Sequence, residues 1–305
     1  MRLAMIGLGR MGLNMATRLR KGGHQVAGFD PSAKALSQAK RLGIRPARTL
    51  EEAARLFKSP RVIWLMIPAG RPVWQAVDAL AARLAAGDMV VDGGNSPYQD
   101  AARHSTLLGR RGIAFMDVGV SGGIWGLREG YCLMAGGRPH DFRRLEPALR
   151  TLAPKGGYAL AGPTGAGHFT KMVHNGVEYA LMQAYAEGFA LLRSSQFKPD
   201  LRNICRLWNR GSVVRSWLLE LAEAAFNKDP ELKGLRGWVA DSGEGRWTVL
   251  DAVQRGVPAP AITMALYERF RSRMRDSFSD KVLAALRQEF GGHAVRAAAG
   301  RRRPR

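Results

Sequence analysis

Residues 2–12 read RLAMIGLGRMG, an apolar run that leads directly into the pattern G-x-G-x-x-G. Where a strand turns into a helix in this way, Gly7 permits the tight turn, Gly9 lets a pyrophosphate approach the backbone, and Gly12 lets the helix pack against the strand. The N-terminus of that helix presents unpaired N–H groups to the phosphates. The sequence therefore predicts a dinucleotide site; the alternative is a purely structural glycine turn. The residues of the predicted site are Gly7, Leu8, Gly9, Arg10, Met11 and Gly12.

An acidic residue follows at the spacing expected for contact with a ribose. Asp30 ends the second apolar run, 21 residues after Gly9. A carboxylate at this position accepts hydrogen bonds from a ribose 2′-OH and would repel a 2′-phosphate. We therefore expect NAD as the cofactor, with NADP as the alternative if Arg48 or a loop arginine offsets the carboxylate. The competing interpretation of Asp30 is a helix-capping residue.

Apolar runs of strand length recur through the first 162 residues, separated by segments of helical periodicity. The predicted strands are 2–7, 25–29, 62–67, 89–91, 113–118 and 131–135, and the predicted helices are 12–20, 31–42, 50–57, 72–85, 97–108 and 139–152. This alternation is typical of βαβ units and a parallel sheet. From residue 165 onward the pattern is helical only. We predict an α/β Rossmann-type domain with a parallel-rich sheet over 1–162, an all-α substrate and dimerisation domain over 163–293, and a basic disordered tail over 294–305.

The composition excludes several classes of protein. The 305 residues carry 47 basic and 25 acidic side chains, a formal charge of +22, and 46% are hydrophobic, which excludes wholesale disorder. Two cysteines without metal-ligand spacing indicate a cytoplasmic protein with neither a disulfide framework nor a metal. No apolar run approaches the ~20 residues that cross a bilayer, so we expect no membrane partner. The positive charge is compatible with nucleic acid, but a solvated, arginine-rich surface is the favoured interpretation.

A long helical segment, residues 165–192, places four polar residues on one face. Lys171, His174, Asn175 and Glu178 follow the spacing i, i+3, i+4 and i+7, while the rest of the segment is apolar around nearly its whole circumference. We therefore expect an interior helix whose polar stripe lines a pocket; the alternative is a solvated face. A buried lysine can act as a base and a buried carboxyl as an acid. A separation of about 10 Å along the helix suits an oxidation followed by a second proton transfer.

Six separated segments resemble the 6-phosphogluconate dehydrogenase family, the decarboxylating enzymes in their short, often NAD-linked form, within the β-hydroxyacid dehydrogenase superfamily. The resemblance extends to His293, and KMVHNG-x-EY is its most specific element. The segments are GLGRMGLNMA from Gly7, VDGGNSPYQD from Val91, DVGVSGGIWGLREGYCLMAGG from Asp117, HFTKMVHNGVEYALMQ from His168, DSGEGRWTV from Asp241 and RQEFGGH from Arg287.

The resemblance implies a reaction and its two catalytic residues. Lys171 would take the proton from the C3 hydroxyl of 6-phosphogluconate while hydride leaves C3 for the nicotinamide. After loss of CO₂, the protonated Lys171 would act as the acid on the carbonyl to give an enediol. Glu178 would then protonate C1, completing ribulose 5-phosphate in pentose phosphate or gluconate metabolism.

The resemblance also implies binding residues and a homodimer or higher homo-oligomer. Further cofactor contacts are expected at Met66, Ile67, Pro68 and Asn95. The sugar acid would be held by Asn95, Ser121, Gly122, Gly123, His174 and Asn175. Its phosphate would be held by Tyr179, Arg246, Thr248 and Arg269, together with Arg287 and His293 from a partner chain.

The sequence departs from the longer enzymes of this family at three points. Arg246 stands where they have lysine, which keeps the charge and changes the donor geometry. Asp30 replaces a phosphate-binding pair, and the helical half is far shorter. Two other functions remain open: another β-hydroxyacid dehydrogenase, of 3-hydroxyisobutyrate or glyoxylate type, and, less favoured, a basic nucleic-acid-binding protein.

Overall fold

The computed structural model describes residues 1–296, apart from the side chain of Phe290. The chain divides into two compact units, Met1–Val177 and a second unit that starts at Glu178, so that the division falls within one long helix. The predicted domain boundary at residue 162 stays a prediction. Of the tail predicted at 294–305, residues 297–305 lie outside the described residues.

The first unit is built on an eight-stranded sheet with the order β3-β2-β1-β4-β5-β6-β7-β8. All neighbouring strands are parallel except β6 and β7, which are antiparallel. This arrangement confirms the predicted parallel-rich Rossmann-type fold. The strands are β1 (Arg2–Ile6), β2 (Gln25–Phe29), β3 (Arg45–Ala47), β4 (Val62–Leu65), β5 (Met89–Asp92), β6 (Ala114–Ser121), β7 (Cys132–Gly136) and β8 (Tyr158–Gly162).

Helices cover both faces of this sheet. Because side chains alternate along a strand, Leu3 and Met5 of β1 join one apolar cluster and Ala4 and Ile6 join the other. Each cluster packs against helices, which leaves the central strands buried on both sides. The helices are α1 (Arg10–Lys21), α2 (Ala33–Arg41), α3 (Leu50–Arg55), α4 (Arg71–Ala81), α5 (Tyr98–Gly109), α6 (Gly126–Glu129), α7 (Pro139–Leu152) and the first part of α8 (Ala166–Ser194).

Two of the strands were missed by the sequence analysis, and both lie at the edges of the sheet. β3 is three residues long and contains an arginine and a proline. β8 alternates between exposed and half-buried positions instead of forming an apolar run. Edge strands pair on one side only, so their sequences need not be strongly apolar.

The regular secondary structure of the second unit is entirely helical within its described residues, as predicted. It contains the remainder of α8, then α9 (Leu201–Trp208), α10 (Trp217–Lys228), α11 (Glu244–Arg255), α12 (Pro260–Arg271) and α13 (Phe278–Gly291). Ser216 and Ser277 cap α10 and α13 by accepting N–H bonds from the first turn. Within residues 1–296, no helix combines the length and the apolar composition needed to cross a lipid bilayer.

The prediction that α8 is an interior helix is correct only in part. Lys171 and Met172 are buried, whereas Leu181 is 46% exposed and Leu191 is 71% exposed. An apolar circumference indicates that the side chains of a helix favour burial, but the periodicity does not identify which element packs against each face.

Candidate active site

The glycine loop between β1 and α1 has the geometry that a dinucleotide requires. Gly7 has φ +93°, a conformation that favours glycine, and a Cβ on Gly12 would overlap the carbonyl oxygen of Gly7. By contrast, a Cβ on Gly9 would meet no atom within 4 Å, and Gly9 precedes α1 without a side-chain cap. Open space in front of uncapped helix N–H groups fits a pyrophosphate.

Asp30 lies directly after β2 and is tied to the glycine loop. Its Oδ2 accepts the N–H of Leu8 at 2.8 Å, and its Oδ1 accepts the N–H of Ser32, also at 2.8 Å. The carboxylate is half-buried and retains lone pairs for a further donor. Asp30 therefore holds the turn in shape, but Ser32 and not Asp30 caps α2, by accepting the N–H of Ala35. The contact of Asp30 with a ribose stays a prediction.

Three loops meet at the carboxyl edge of the sheet, where Rossmann-type folds bind their ligands. The loop after β4 begins with Met66, whose N–H donates to Ile6 O at 2.7 Å. In the loop after β5, a Cβ on Gly94 would lie 2.8 Å from the carbonyl oxygen of Ile67. Asn95 is exposed at the tip of this otherwise buried turn. The predicted cofactor segments at Gly7–Gly12, 66–68 and 95 thus belong to adjoining loops.

Four of the predicted site residues come together beside β6. The Nζ of Lys171 donates to Asn175 Oδ1, which also lies 2.9 Å from Nδ1 of His174. The other ring nitrogen of His174 is 3.5 Å from Ser121 Oγ, at the end of β6. Gly122 and Gly123 follow with φ +132° and +52°, which turns the chain sharply after Ser121. A lysine, an imidazole, an amide and a hydroxyl therefore converge within the first unit.

Lys171 is the most buried charged group of this cluster, with 8% of its surface exposed. The side chain lies against Gly119 of β6, where even a methyl group would overlap it. The absence of a side chain at Gly119 therefore creates the seat for this lysine.

The start of α8 is held by an aspartate that the sequence analysis missed. Asp117 of β6 is fully buried, and its two oxygens accept the N–H groups of Gly165 at 2.7 Å and His168 at 2.9 Å. It acts as a cap supplied by a different element of the fold. The available signal was a single carboxylate within the apolar run IAFMDVGV of residues 113–120.

A buried ion pair lies next to this cap. The Nε2 of His168 is 3.3 Å from Oδ2 of Asp92, and each side chain is 2% exposed. Burial by itself lowers the pKa of His168, but the Asp92 carboxylate raises it above the usual value. Burial likewise acts to raise the pKa of Asp92, and the charge of His168 brings it below its usual value. Each group therefore stabilises the charged form of the other.

In the second unit, Tyr179 contacts a serine hydroxyl and an arginine. Its hydroxyl lies 3.0 Å from Ser242 Oγ, and the guanidinium carbon of Arg269 lies 3.4 Å from its ring centroid. Arg269 also donates to Ala240 O at 2.7 Å. Gly245 has no room for a side chain against the Tyr179 ring. The predicted Tyr179 and Arg269 are thus brought together.

Arg246 and Thr248 lie on the first turns of α11. Arg246 is half-exposed and pairs with Asp241 at 2.6 Å, while Thr248 is buried and donates to Glu244 O at 2.8 Å. Partial burial acts to raise the pKa of Asp241, but the hydrogen bond from Arg246 brings it below its usual value. A guanidinium already oriented by a carboxylate can exchange that partner for a phosphate, because both present oxygens to its fork.

The remaining predicted residues differ in their exposure. Glu178 follows Lys171 by two helical turns on α8 and is half-buried. Arg287 on α13 and His293 just after it are exposed. Their contribution to a neighbouring subunit stays a prediction. Among the described residues, no group of three or more His, Cys, Asp and Glu side chains could hold a metal ion.

Comparison with known families gives matches to both parts of the chain. Residues 2–162 match the family described as the NAD binding domain of 6-phosphogluconate dehydrogenase. Residues 167–293 match the family described as the C-terminal domain of 6-phosphogluconate dehydrogenase.

Individual relatives agree with these matches. The NAD(+)-dependent, decarboxylating 6-phosphogluconate dehydrogenase of Haloferax volcanii is 42% identical over 97% of this chain and 98% of its own length. The Plasmodium falciparum 6-phosphogluconate dehydrogenase superposes with a TM-score of 0.83 at 26% identity, covering 99% of this chain and 67% of that one. The Mycobacterium tuberculosis 3-hydroxyisobutyrate dehydrogenase gives a TM-score of 0.73 at 25% identity, covering 94% and 99%.

Proposed function

Because this chain belongs to the 6-phosphogluconate dehydrogenase family, as its motifs predicted, we propose that it converts 6-phospho-D-gluconate to D-ribulose 5-phosphate and CO₂ with reduction of NAD. The observation that carries this proposal is the buried Lys171, hydrogen-bonded to Asn175 and seated on Gly119. A lysine in this environment is suited to exchange protons with a substrate.

The cofactor contacts assigned here are those of the loops at the carboxyl edge of the sheet. The glycine loop would hold the pyrophosphate, and Asp30 would accept the ribose hydroxyls. Residues 66–68 and Asn95 would face the nicotinamide half. Bound NAD supplies a hydride acceptor, and NADP is the weaker alternative because a 2′-phosphate would meet the Asp30 carboxylate.

The chain's own residues carry the proton transfers. Neutral Lys171 takes the proton of the C3 hydroxyl as the C3–H bond breaks and hydride leaves. The resulting β-keto acid loses CO₂, and the ammonium of Lys171 returns its proton to the C3 carbonyl oxygen, which gives the enediol. Glu178, two turns further along α8, protonates C1 to complete the product. The enediol hydroxyl on the former C3 oxygen loses its proton as the product carbonyl forms, and that proton passes back to Glu178. Both residues thus return to their starting charge with no net release of a proton.

Substrate binding follows from the donors at each location. Asn95, Ser121, Gly122, Gly123, His174 and Asn175 would hold the hydroxyls and carboxylate of the sugar acid. The phosphate would bind to Tyr179, Arg246, Thr248 and Arg269. Two arginines and two hydroxyls suit a dianion, which is stabilised by charge-assisted hydrogen bonds.

We also propose a cytoplasmic homodimer or higher homo-oligomer, with Arg287 and His293 entering the site of a neighbouring subunit. Large apolar side chains of the second unit support this assembly, since Leu191, Val253 and Phe278 are 71%, 74% and 79% exposed in the single chain. Light scattering after gel filtration would measure the mass. A monomer at micromolar concentration would contradict the assembly.

The first experiment is to follow reduced-nicotinamide absorbance with purified protein. Wild-type protein is given 6-phosphogluconate or 3-hydroxyisobutyrate, each with NAD and with NADP, and CO₂ release is measured in parallel. We expect reduction of NAD with 6-phosphogluconate together with stoichiometric CO₂. Reduction of the cofactor with 3-hydroxyisobutyrate alone would instead assign the activity of a related dehydrogenase. Arg246 and Arg269 would then be surface residues without a role in phosphate binding.

A further inference from the structure

Two buried aspartates flank β5, and each is paired with a cation. Asp88, before the strand, accepts two hydrogen bonds from Arg61, from Nε at 3.0 Å and from the backbone N–H at 3.1 Å. Asp92, at the end of the strand, faces His168. Only the second pair lies at the carboxyl edge of the sheet, where the loops of the candidate site meet.

The Asp92–His168 pair connects two elements that carry site residues. Oδ1 of Asp92 accepts the N–H of Gly94 at 3.0 Å, which shapes the turn that presents Asn95. His168 lies one helical turn before Lys171 on α8. The ion pair is therefore a direct link between the Asn95 turn and the turn of α8 that precedes the lysine.

The pair is chiefly electrostatic. Within the described part of the chain, Nε2 of His168 has no well-aligned hydrogen bond, although the opposite charge lies 3.3 Å away. The charged groups acting on His168 are Asp92, Asp117 and Asp100. An ion of this kind that loses its partner in a dry interior tends to shift or neutralise, and the surrounding structure moves with it.

We propose that Asp92 and His168 form a positioning pair that fixes the Asn95 turn against the start of α8 and so sets the placement of Lys171 for proton transfer. The proposal rests on the proposed function, since it concerns the lysine that acts there as base and acid. Neither residue touches the substrate. They act by holding the Asn95 turn and Lys171 in position.

The test compares four proteins: wild type, His168→Leu, His168→Gln and Asp88→Asn. The leucine removes the charge and the donor, the glutamine keeps an N–H that can reach Asp92, and Asp88→Asn weakens the matched pair at the opposite end of β5. Turnover of 6-phosphogluconate, the Kd for NADH and hydrogen exchange of residues 93–97 and 166–171 are measured for each.

His168→Leu should lower kcat about 10- to 100-fold, because a misplacement of about 1 Å costs on that order. The Kd for NADH should change less than about threefold, since the pyrophosphate and ribose contacts lie elsewhere. Both segments should exchange faster. His168→Gln should recover only part of kcat, because its N–H can restore a contact with Asp92 but not the charge. Asp88→Asn should lower the melting temperature while leaving kcat and both segments as in wild type.

Two results would overturn the proposal. One is a His168→Leu protein with wild-type kcat and unchanged exchange in both segments. The other is an Asp88→Asn protein that loses as much kcat as His168→Leu, because the loss would then reflect destabilisation alone. If wild type fails to oxidise 6-phosphogluconate, the proposed function is wrong. Hydrogen exchange of residues 93–97 and 166–171 in wild type and His168→Leu then decides whether the ion pair holds these two segments in place. Should His168→Leu not fold, Asp92→Asn takes its place with the same expectations.

Discussion

Gly119→Ala should remove most of the activity through a single methyl group. Gly119 lies on β6 directly beneath Lys171. A Cβ built there would be 3.0 Å from Lys171 Cγ and 2.9 Å from the carbonyl oxygen of Gly167, and it would overlap Lys171 Cβ. Carbon atoms in contact normally stand about 3.5–4.0 Å apart, so the overlap with Lys171 Cβ forces the lysine to retreat by more than about 1 Å.

The surroundings make this displacement costly. The start of α8 is fixed by the two N–H bonds to Asp117, and β6 is paired on both sides. Overpacking of this kind costs about 1–3 kcal/mol, and at about 2–4 °C per kcal/mol we expect a melting temperature lower by about 2–12 °C. A displacement of about 1 Å in the reacting amine should lower kcat/KM about 100-fold.

The assay is NAD reduction with 6-phosphogluconate beside thermal unfolding. Gly109→Ala is the matched control: Gly109 ends α5, its added Cβ would meet no atom within 4 Å, and its φ is not positive. That substitution should leave activity intact and stability unchanged or raised by about 0.4–1 kcal/mol. A Gly119→Ala protein with wild-type kcat/KM would refute the argument that Gly119 seats the lysine.

Four further predictions test other parts of the site. Asp117→Ala deletes two hydrogen bonds to a buried carboxylate, so urea unfolding should show a loss of about 3–6 kcal/mol; less than about 1 kcal/mol would mean that the cap is dispensable. Glu178→Gln should bind NADH normally and release ribulose 5-phosphate far more slowly, and wild-type release would remove Glu178 from the mechanism. Asp30→Asn should raise the use of NADP relative to NAD, whereas an unchanged ratio would count against its role in cofactor choice. Because folding raises the pKa of His168, its ion pair stabilises the folded protein fully below about pH 6.5, and this contribution is lost as the pH rises through the folded-state pKa. The melting temperature of His168→Gln should therefore fall less between neutral and alkaline pH than that of wild type.

The parts of the site that were predictable are those encoded by local rules. The glycine loop could be recognised because its three glycines lie within six residues and each stands where a side chain would hinder the turn, the bound pyrophosphate or the helix packing. The structure shows that a Cβ at Gly7 or Gly12 would clash with neighbouring atoms. The proximity of Lys171, His174 and Asn175 followed from helical periodicity alone. Most of the fold was predictable for the same reason, since buried parallel strands form apolar runs that can be seen one at a time.

The parts that were missed depend on partners far away in sequence. Asp117 and His168 are 51 residues apart, and nothing local in either segment indicates that a strand carboxylate will cap a helix. Asp92 could be recognised as part of the DGGNS segment but not as the partner of a histidine 76 positions later. The edge strands β3 and β8 lacked a strong apolar signal. The exposed apolar residues of α8 show that an apolar sequence does not by itself predict burial within the chain.

Three glycines outside the nucleotide loop, Gly119, Gly136 and Gly167, allow close packing between the sheet and α8. Gly136 of β7 and Gly167 of α8 face each other at a distance that leaves no room for a Cβ on either, and a Cβ on Gly136 would also meet both oxygens of Asp117. Because these two backbones approach so closely, the Asp117 carboxylate can reach the first N–H groups of α8. Gly119 then clears the next turn for Lys171. These glycines thus bring the helix that carries Lys171 onto the sheet, which means that close backbone contact helps to determine the position of the lysine.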